Sequence, residues 1–210
     1  MKTTITVFSI IGFLIAPITA LSKTKVAVID TGLNINSPKY QPYLCKSGHK
    51  DFTFSSLNDT NGHGTTVVDL IIENAKNKDF CLVIYKFYRD NAGYKNIVFY
   101  AAALEEVNKT KPDIVNMSLA GPEENEVEKT VLKQNVKTLF VVAAGNDNVN
   151  ISVDKRFPAS YDFNNMIVVG AKDKNGIKLR TSNYGAPVDV WEESNCTSFA
   201  TAIKTGKAIK

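Results

Sequence analysis

Three side chains spread along the sequence carry the types needed to break an acyl bond. They are an aspartate closing an apolar run, a histidine between two glycines, and a serine ahead of a run of small residues. The serine is Ser198, in Ser194-Asn195-Cys196-Thr197-Ser198-Phe199-Ala200-Thr201-Ala202. Ala200, Thr201 and Ala202 predict a helix buried against a close neighbour. A serine at its N-terminus sits beside unpaired backbone N–H groups and the positive end of the dipole, where a forming oxyanion is stabilised. Serine is also an ordinary N-cap, so the stretch gains meaning only if the chain supplies a base and an orienting carboxylate. His63, in Asn61-Gly62-His63-Gly64-Thr65, is the candidate base, and Asp30, closing Val26-Ala27-Val28-Ile29, is the candidate carboxylate. Taken singly, Asp30 reads as a turn aspartate before Thr31-Gly32, and His63 as loop chemistry. The second histidine, His49, has no flanking motif and reads as a surface residue.

A fourth element, Ala143-Ala144-Gly145-Asn146-Asp147, follows an apolar run and would form a Gly-Asn turn in any case. In the order Asp, His, Asn, Ser, these stretches resemble the subtilisin-like serine proteases, the subtilases, from about Val26 to Ala202. The resemblance implies a serine endopeptidase working through an acyl-enzyme on Ser198. In it His63 shuttles the proton, Asp30 holds the imidazole, and Asn146 meets the oxyanion together with the Ser198 backbone N–H. It makes Ser118, Leu119 and Ala120 an edge to which an extended peptide adds as a strand. Phe157-Pro158-Ala159 and Ser182-Asn183-Tyr184-Gly185 match structural positions. Calcium is common in the family, but no cluster of oxygen ligands with recognisable spacing occurs here, so no metal ligand and no cofactor is assigned.

Departures from the family pattern accompany the matches. Cys196 stands where glycine is usual, Val68-Asp69 where Ala-Gly is usual, and Ala202 where proline is usual. The segment between Trp191 and Asn195 reads as a loop, shorter than the family's, and only a dozen residues follow Ser198. The expectation is a short, C-terminally shortened domain over 21–210 with no recognisable propeptide. The alternative reading is a weak or inactive protein of the same fold that binds peptides or a protein partner.

Elements must position these residues. Val26–Ile29, Leu82–Tyr85, Ile114–Met117, Leu139–Ala143 and Met166–Val169 predict short buried strands. Gly64–Asn74, Tyr94–Asn108 and Glu124–Asn135 carry helical spacing between them. Such alternation predicts a parallel sheet covered on both faces, and in such sheets sites gather at the carboxyl ends of strands; the family resemblance implies an α/β three-layer sandwich with a mostly parallel central sheet.

At 44% hydrophobic residues and a net charge of +4, the composition is that of a soluble globule with a sizeable core. The positive charges are scattered without aromatic interleaving, so nucleic acid is not expected as a partner. Met1 to Ala20 reads as a secretory signal peptide: Lys2, a short apolar run from Val7 to Ile15, then Thr19-Ala20. A secreted or periplasmic monomer acting on peptide or protein is expected, with no stable membrane insertion once the signal is removed. Three cysteines in an exported chain allow one disulfide. Cys45 with Cys81 is the expected pair, because Cys196 lies beside the candidate nucleophile.

Overall fold

Strand β1 (Thr24–Asp30) is buried from Val26 onward and lies inside the sheet. In the computed structural model, which describes residues 23–210, it pairs in parallel with β3 (Phe80–Lys86) on one side and β4 (Ile114–Met117) on the other. The stretch read as a signal peptide lies outside the described residues. Outward from β3 lies the short β2 (Lys50–Asp51). Outward from β4 come β5 (Leu139–Ala143), β6 (Met166–Lys172) and β7 (Val190–Glu193). The seven-stranded order is β2-β3-β1-β4-β5-β6-β7, with every pair parallel. After β3 the chain crosses β1 to begin the other half. That places a topological switch between β1 and β4, and a crevice opens there at the strands' carboxyl ends.

Alternation along β1 sends Ala27 and Ile29 to one face and Val26 and Val28 to the other, and each face has its own core. Helices α2 (Lys95–Thr110) and α3 (Glu126–Gln134) cover the first face with Leu104, Val107, Val131 and Leu132. Helices α1 (His63–Asn74) and α4 (Thr197–Ala208) cover the second with Val67, Ile71, Ala200 and Ala202. The three-layer sandwich implied by the resemblance is present, with a sheet that is wholly parallel. The small residues after Ser198 do what their size suggested. A Cβ on Gly206 would stand 2.5 Å from the Ile71 carbonyl oxygen, so α4 reaches the backbone of α1 only because its contact face is small.

Two expectations about local structure change. His49 is not a surface residue. Its half-buried ring accepts the Ile84 N–H at Nδ1 (3.1 Å), which makes Nε2 the protonated nitrogen, donating to the Cys45 carbonyl at 3.0 Å. The ring therefore stitches the loop before β2 onto β3. Part of the stretch between Trp191 and Asn195 is strand β7, whose Trp191 and Glu192 pair with Gly170 and Ala171 of β6.

Cys45 and Cys81 form the expected disulfide across 36 residues, tying that same loop to β3, while Cys196 is free. Closing a loop of this length in the unfolded chain is worth about 3–4 kcal/mol in the chain-entropy treatment. The double replacement Cys45→Ser with Cys81→Ser should lower the unfolding free energy by that order, read from denaturant midpoints at constant m-value. An unchanged midpoint would show that the bridge contributes nothing to stability.

Candidate active site

Asp30 ends β1 with its side chain buried, and its Oδ1 accepts two hydrogen bonds of 2.7 Å. One comes from the Thr31 N–H and the other from His63 Nδ1. A histidine bonded this way keeps its proton on Nδ1 and presents Nε2 as the basic lone pair. The hydrogen bond to Asp30 raises the pKa of His63 above its ordinary value; burial opposes this, while the charges of Asp30 and Asp59 add to it.

Local backbone chemistry brings His63 to that place. Gly62, at φ +93°, turns the chain into α1 through a left-handed conformation. Gly64 is needed for close approach, since a Cβ there would lie 2.6 Å from the Gly32 carbonyl oxygen. Asp59, which sequence reasoning did not single out, organises the loop. Its Oδ1 accepts from Thr31 Oγ1, Asn61 N–H and Gly62 N–H, and its Oδ2 accepts from the Thr65 N–H and hydroxyl. Burial works against its charge, but these hydrogen bonds prevail and hold its pKa below the ordinary carboxylate value. Thr31 Oγ1 in turn accepts the Gly64 N–H at 2.8 Å, joining the end of β1 to the start of α1.

Ser198 lies in the first turn of α4 and is held by a buried polar chain. Thr205 Oγ1 donates to Asn116 Oδ1 (2.9 Å), Asn116 Nδ2 to Ser118 Oγ (2.9 Å), and Ser118 Oγ to the Ser198 carbonyl (2.8 Å). The Ser198 hydroxyl itself donates to the Ser118 carbonyl at 3.2 Å, and no hydrogen bond joins it to His63. Such nucleophile–base contacts are often open without substrate, and a rotation about χ1 redirects the hydroxyl. The ring of Phe199 lies tilted against the imidazole, with the ring centroids 5.5 Å apart. Cys196, the residue before α4, has φ −159° and ψ 164°, an extended backbone that any residue adopts. The thiol therefore brings no strain from a left-handed conformation.

Asn146 follows β5 and lies beside the same helix start. Its Oδ1 accepts both the N–H and the hydroxyl of Thr197 at 3.0 Å, which fixes the amide so that Nδ2 is left as a free donor. The loop carrying it is clamped by the fully buried Asn183, which takes the Asp147 and Val149 N–H groups on Oδ1 and donates Nδ2 to the Ala144 carbonyl. Gly145, at φ +98°, leaves room for that amide, because a Cβ would stand 2.4 Å from it.

Beyond β4 the peptide groups of Leu119 and Ala120 make no backbone hydrogen bond among the described residues, whereas Gly121 pairs in both directions with Phe157. An edge with free N–H and C=O groups is a template for an extended peptide. Small hollows flank it. One of about 270 Å³ contains Asp30, His63 and Leu119, and one of about 180 Å³ contains Leu119, Ala120, Asn146 and Ser198. Asp51, Asp59 and Asp173 accept backbone N–H donors of their own turns, and among the described residues no three His, Cys, Asp or Glu side chains are grouped so as to hold a metal ion.

Residues 22–208 match the sequence model of the subtilase family. The chain is 32% identical over 183 residues to the major intracellular serine protease of Bacillus subtilis, covering 79% of this chain and 56% of that protein. It is 30% identical over 178 residues to alkaline protease 1 of Aspergillus clavatus, covering 80% and 42%. The chain thus spans about half the length of the relatives it matches. The crystal structure of a cold-adapted subtilisin-like serine proteinase has the same fold, with a TM-score of 0.71 at 24% identity over 87% of this chain and 72% of the other. A lanthipeptide protease superposes with a TM-score of 0.71 at 18% identity, covering 87% and 71%.

Proposed function

The chain belongs to the subtilase family, and on that premise we propose that it is a serine endopeptidase whose triad is Asp30, His63 and Ser198. The observation that carries the reading is the 2.7 Å bond from His63 Nδ1 to buried Asp30, which leaves Nε2 as a base beside the start of α4. A peptide or protein substrate adds its backbone to Leu119 and Ala120. Ser198 Oγ leaves the Ser118 carbonyl, gives its proton to His63 Nε2, and attacks the scissile carbonyl carbon. The resulting oxyanion accepts hydrogen bonds from the Ser198 N–H and Asn146 Nδ2. His63 then returns the proton to the leaving amine, and the C–N bond breaks to leave an ester on Ser198. Water, deprotonated by the same imidazole, hydrolyses that ester and restores the hydroxyl.

The Ser198 hydroxyl's engagement with Ser118 favours one other reading, a fold that binds peptides without turning them over. Labelling with a fluorophosphonate separates the two, because the probe reacts with an activated serine and not with a capping one. Labelling of the wild type but not of Ser198→Ala supports the peptidase. Absence of labelling in both supports the binding protein.

The imidazole sets a pH dependence with a definite sign. His63 must be neutral to accept a proton, and Asp30 raises its pKa, so kcat/KM should rise with pH through a midpoint above the ordinary histidine value of 6.5. Asp30→Asn removes that stabilisation of the imidazolium, and the residual activity should show the midpoint moved down. An upward move, or a flat profile from about pH 5 to 9, would oppose a histidine base held by Asp30.

A further inference from the structure

All strands of the sheet run in one direction, so the molecule has a second end, opposite the candidate site, where strands begin and helices finish. Lysines collect there. Lys23 and Lys25 open β1, and Lys76 and Lys78 lead from α1 into β3. Lys109 and Lys111 lie at the end of α2, Lys133 and Lys137 at the end of α3, and Lys207 and Lys210 at the end of α4. Lys78 ties the end of α4 to the rest of this face by donating to the Lys207 and Ile209 carbonyls. Residues 23–25, 71–79, 107–113, 131–138, 162–165, 188–189 and 205–210 make up this end, and in them ten lysines stand against five acids. The whole chain has 25 cationic and 21 acidic residues, so this end carries the net positive charge and the remainder is close to neutral.

A lysine at a helix C-terminus complements the dipole, which accounts for Lys109, Lys133 and Lys207. It does not account for Lys25, Lys76 or Lys137, which stand outside the helices. Nor do acidic neighbours neutralise the group. Lys23 pairs with Asp79 and Lys207 with Glu192. Apart from these two and Lys78, the other seven are exposed and make no ion pair among the described residues. Like charges held together on one face attract a surface of the opposite sign.

Apolar features on the same face decide which kind of anion it suits. Val136, between Lys133 and Lys137, is 73% exposed. Beside it a hollow of about 470 Å³ opens where α3 ends and β5 begins, with Val136, Leu139 and Phe163 in its walls and Lys133 and Lys137 among its lining. A soluble polyanion gains nothing from an exposed valine or from apolar walls beside two amines. A phospholipid uses both, its phosphate meeting the amines and the top of its acyl chains meeting the apolar walls. The chain also enters β1 on this face, and the apolar run read as a signal peptide precedes Lys23 in the sequence. A chain held by that run during export has this end against the bilayer.

We propose that this end of the molecule docks on an anionic phospholipid surface, with Lys133 and Lys137 taking headgroup phosphate and Val136 entering the interface. The docking is peripheral, and it leaves the crevice at the carboxyl ends of the strands facing away from the lipid, open to peptides. It does not depend on the chemistry assigned to Ser198. Each lysine brought near an anionic leaflet strengthens binding roughly fivefold. The attraction fades as salt shortens the screening length.

The test is sedimentation of the full chain with vesicles of phosphatidylcholine, or of an equal mixture with phosphatidylglycerol, at low and high salt. Every variant keeps the same N-terminal sequence, so binding by its apolar run is common to all of them. Wild type should bind the anionic vesicles roughly tenfold or more tightly than the neutral ones at low salt, and high salt should remove the difference. Lys133→Gln with Lys137→Gln should weaken anionic binding by roughly 25-fold. Lys46→Gln with Lys95→Gln, at exposed lysines away from this end, should leave it within about twofold. Val136→Ser should weaken binding to vesicles and leave binding to soluble polyphosphate unchanged. All these side chains are exposed, and unchanged thermal midpoints would show that the variants are folded. Equal affinity for the two vesicles, a Lys133/Lys137 variant no weaker than the Lys46/Lys95 control, or full vesicle binding by Val136→Ser overturns the proposal. Binding to polyphosphate without binding to vesicles overturns it as well and gives the face to a soluble polyanion.

Discussion

Ser198→Ala should reduce kcat for a peptide substrate by roughly 10⁴–10⁶-fold, and His63→Ala should do nearly the same. Alanine at 198 deletes one oxygen and leaves the helix anchored. The bond that holds the turn runs from Ser118 Oγ to the backbone carbonyl of residue 198 and survives the change. The lost hydroxyl gave up only its 3.2 Å bond to the Ser118 carbonyl, so stability should fall by about 1 kcal/mol or less. A large loss of rate with a nearly constant melting temperature is the expected signature. The double variant should be little worse than either single one, because an unactivated serine and a base with nothing to deprotonate are the same defect. Losses that multiply would mean the two residues act separately. Retained turnover in Ser198→Ala would remove it as nucleophile.

The residues of this site were legible because each sits at a boundary that sequence marks well. Asp30 ends a fully apolar run, His63 and Asn146 stand beside glycines, and Ser198 opens a run of small residues. Periodicity also gave the layers, since strands buried on both faces read as continuous apolar runs. What escaped was polar and buried. Asn116 and Thr205 sit 89 residues apart, and nothing local announces that the side chain of one caps the other inside the sheet–helix layer. Asp59 looks like any loop aspartate until five donors converge on it. Glu128 looks like a capping glutamate until Tyr100 draws it inward. His49 read as exposed because its partners, Ile84 and Cys45, are backbone groups, which carry no sequence signal. Strands β2 and β7 are short edge elements with charged residues, Lys50-Asp51 and Glu192-Glu193, and their pairing is set by the neighbouring strand rather than by a pattern of their own.

Asn146 permits a test in which holding the helix and stabilising charge come apart. Asn146→Ala should lower kcat by about 10²–10³-fold with KM nearly unchanged, since the amide meets negative charge only as the oxyanion forms. Alanine, however, also deletes Oδ1, on which the Thr197 N–H and hydroxyl both converge at 3.0 Å. The same loss of rate would then follow if Asn146 merely kept the start of α4, and hence Ser198, in place. Asn146→Asp resolves this. A carboxylate accepts both Thr197 hydrogen bonds at least as well as the amide oxygen, so the helix start stays tied. What it cannot do is donate, and its second oxygen would face the developing charge with a charge of the same sign. If Asn146 stabilises the oxyanion, Asn146→Asp should be as slow as Asn146→Ala or slower, with KM again close to wild type. If Asn146 only positions the helix, the aspartate should recover most of kcat, and the oxyanion role would have to be given up.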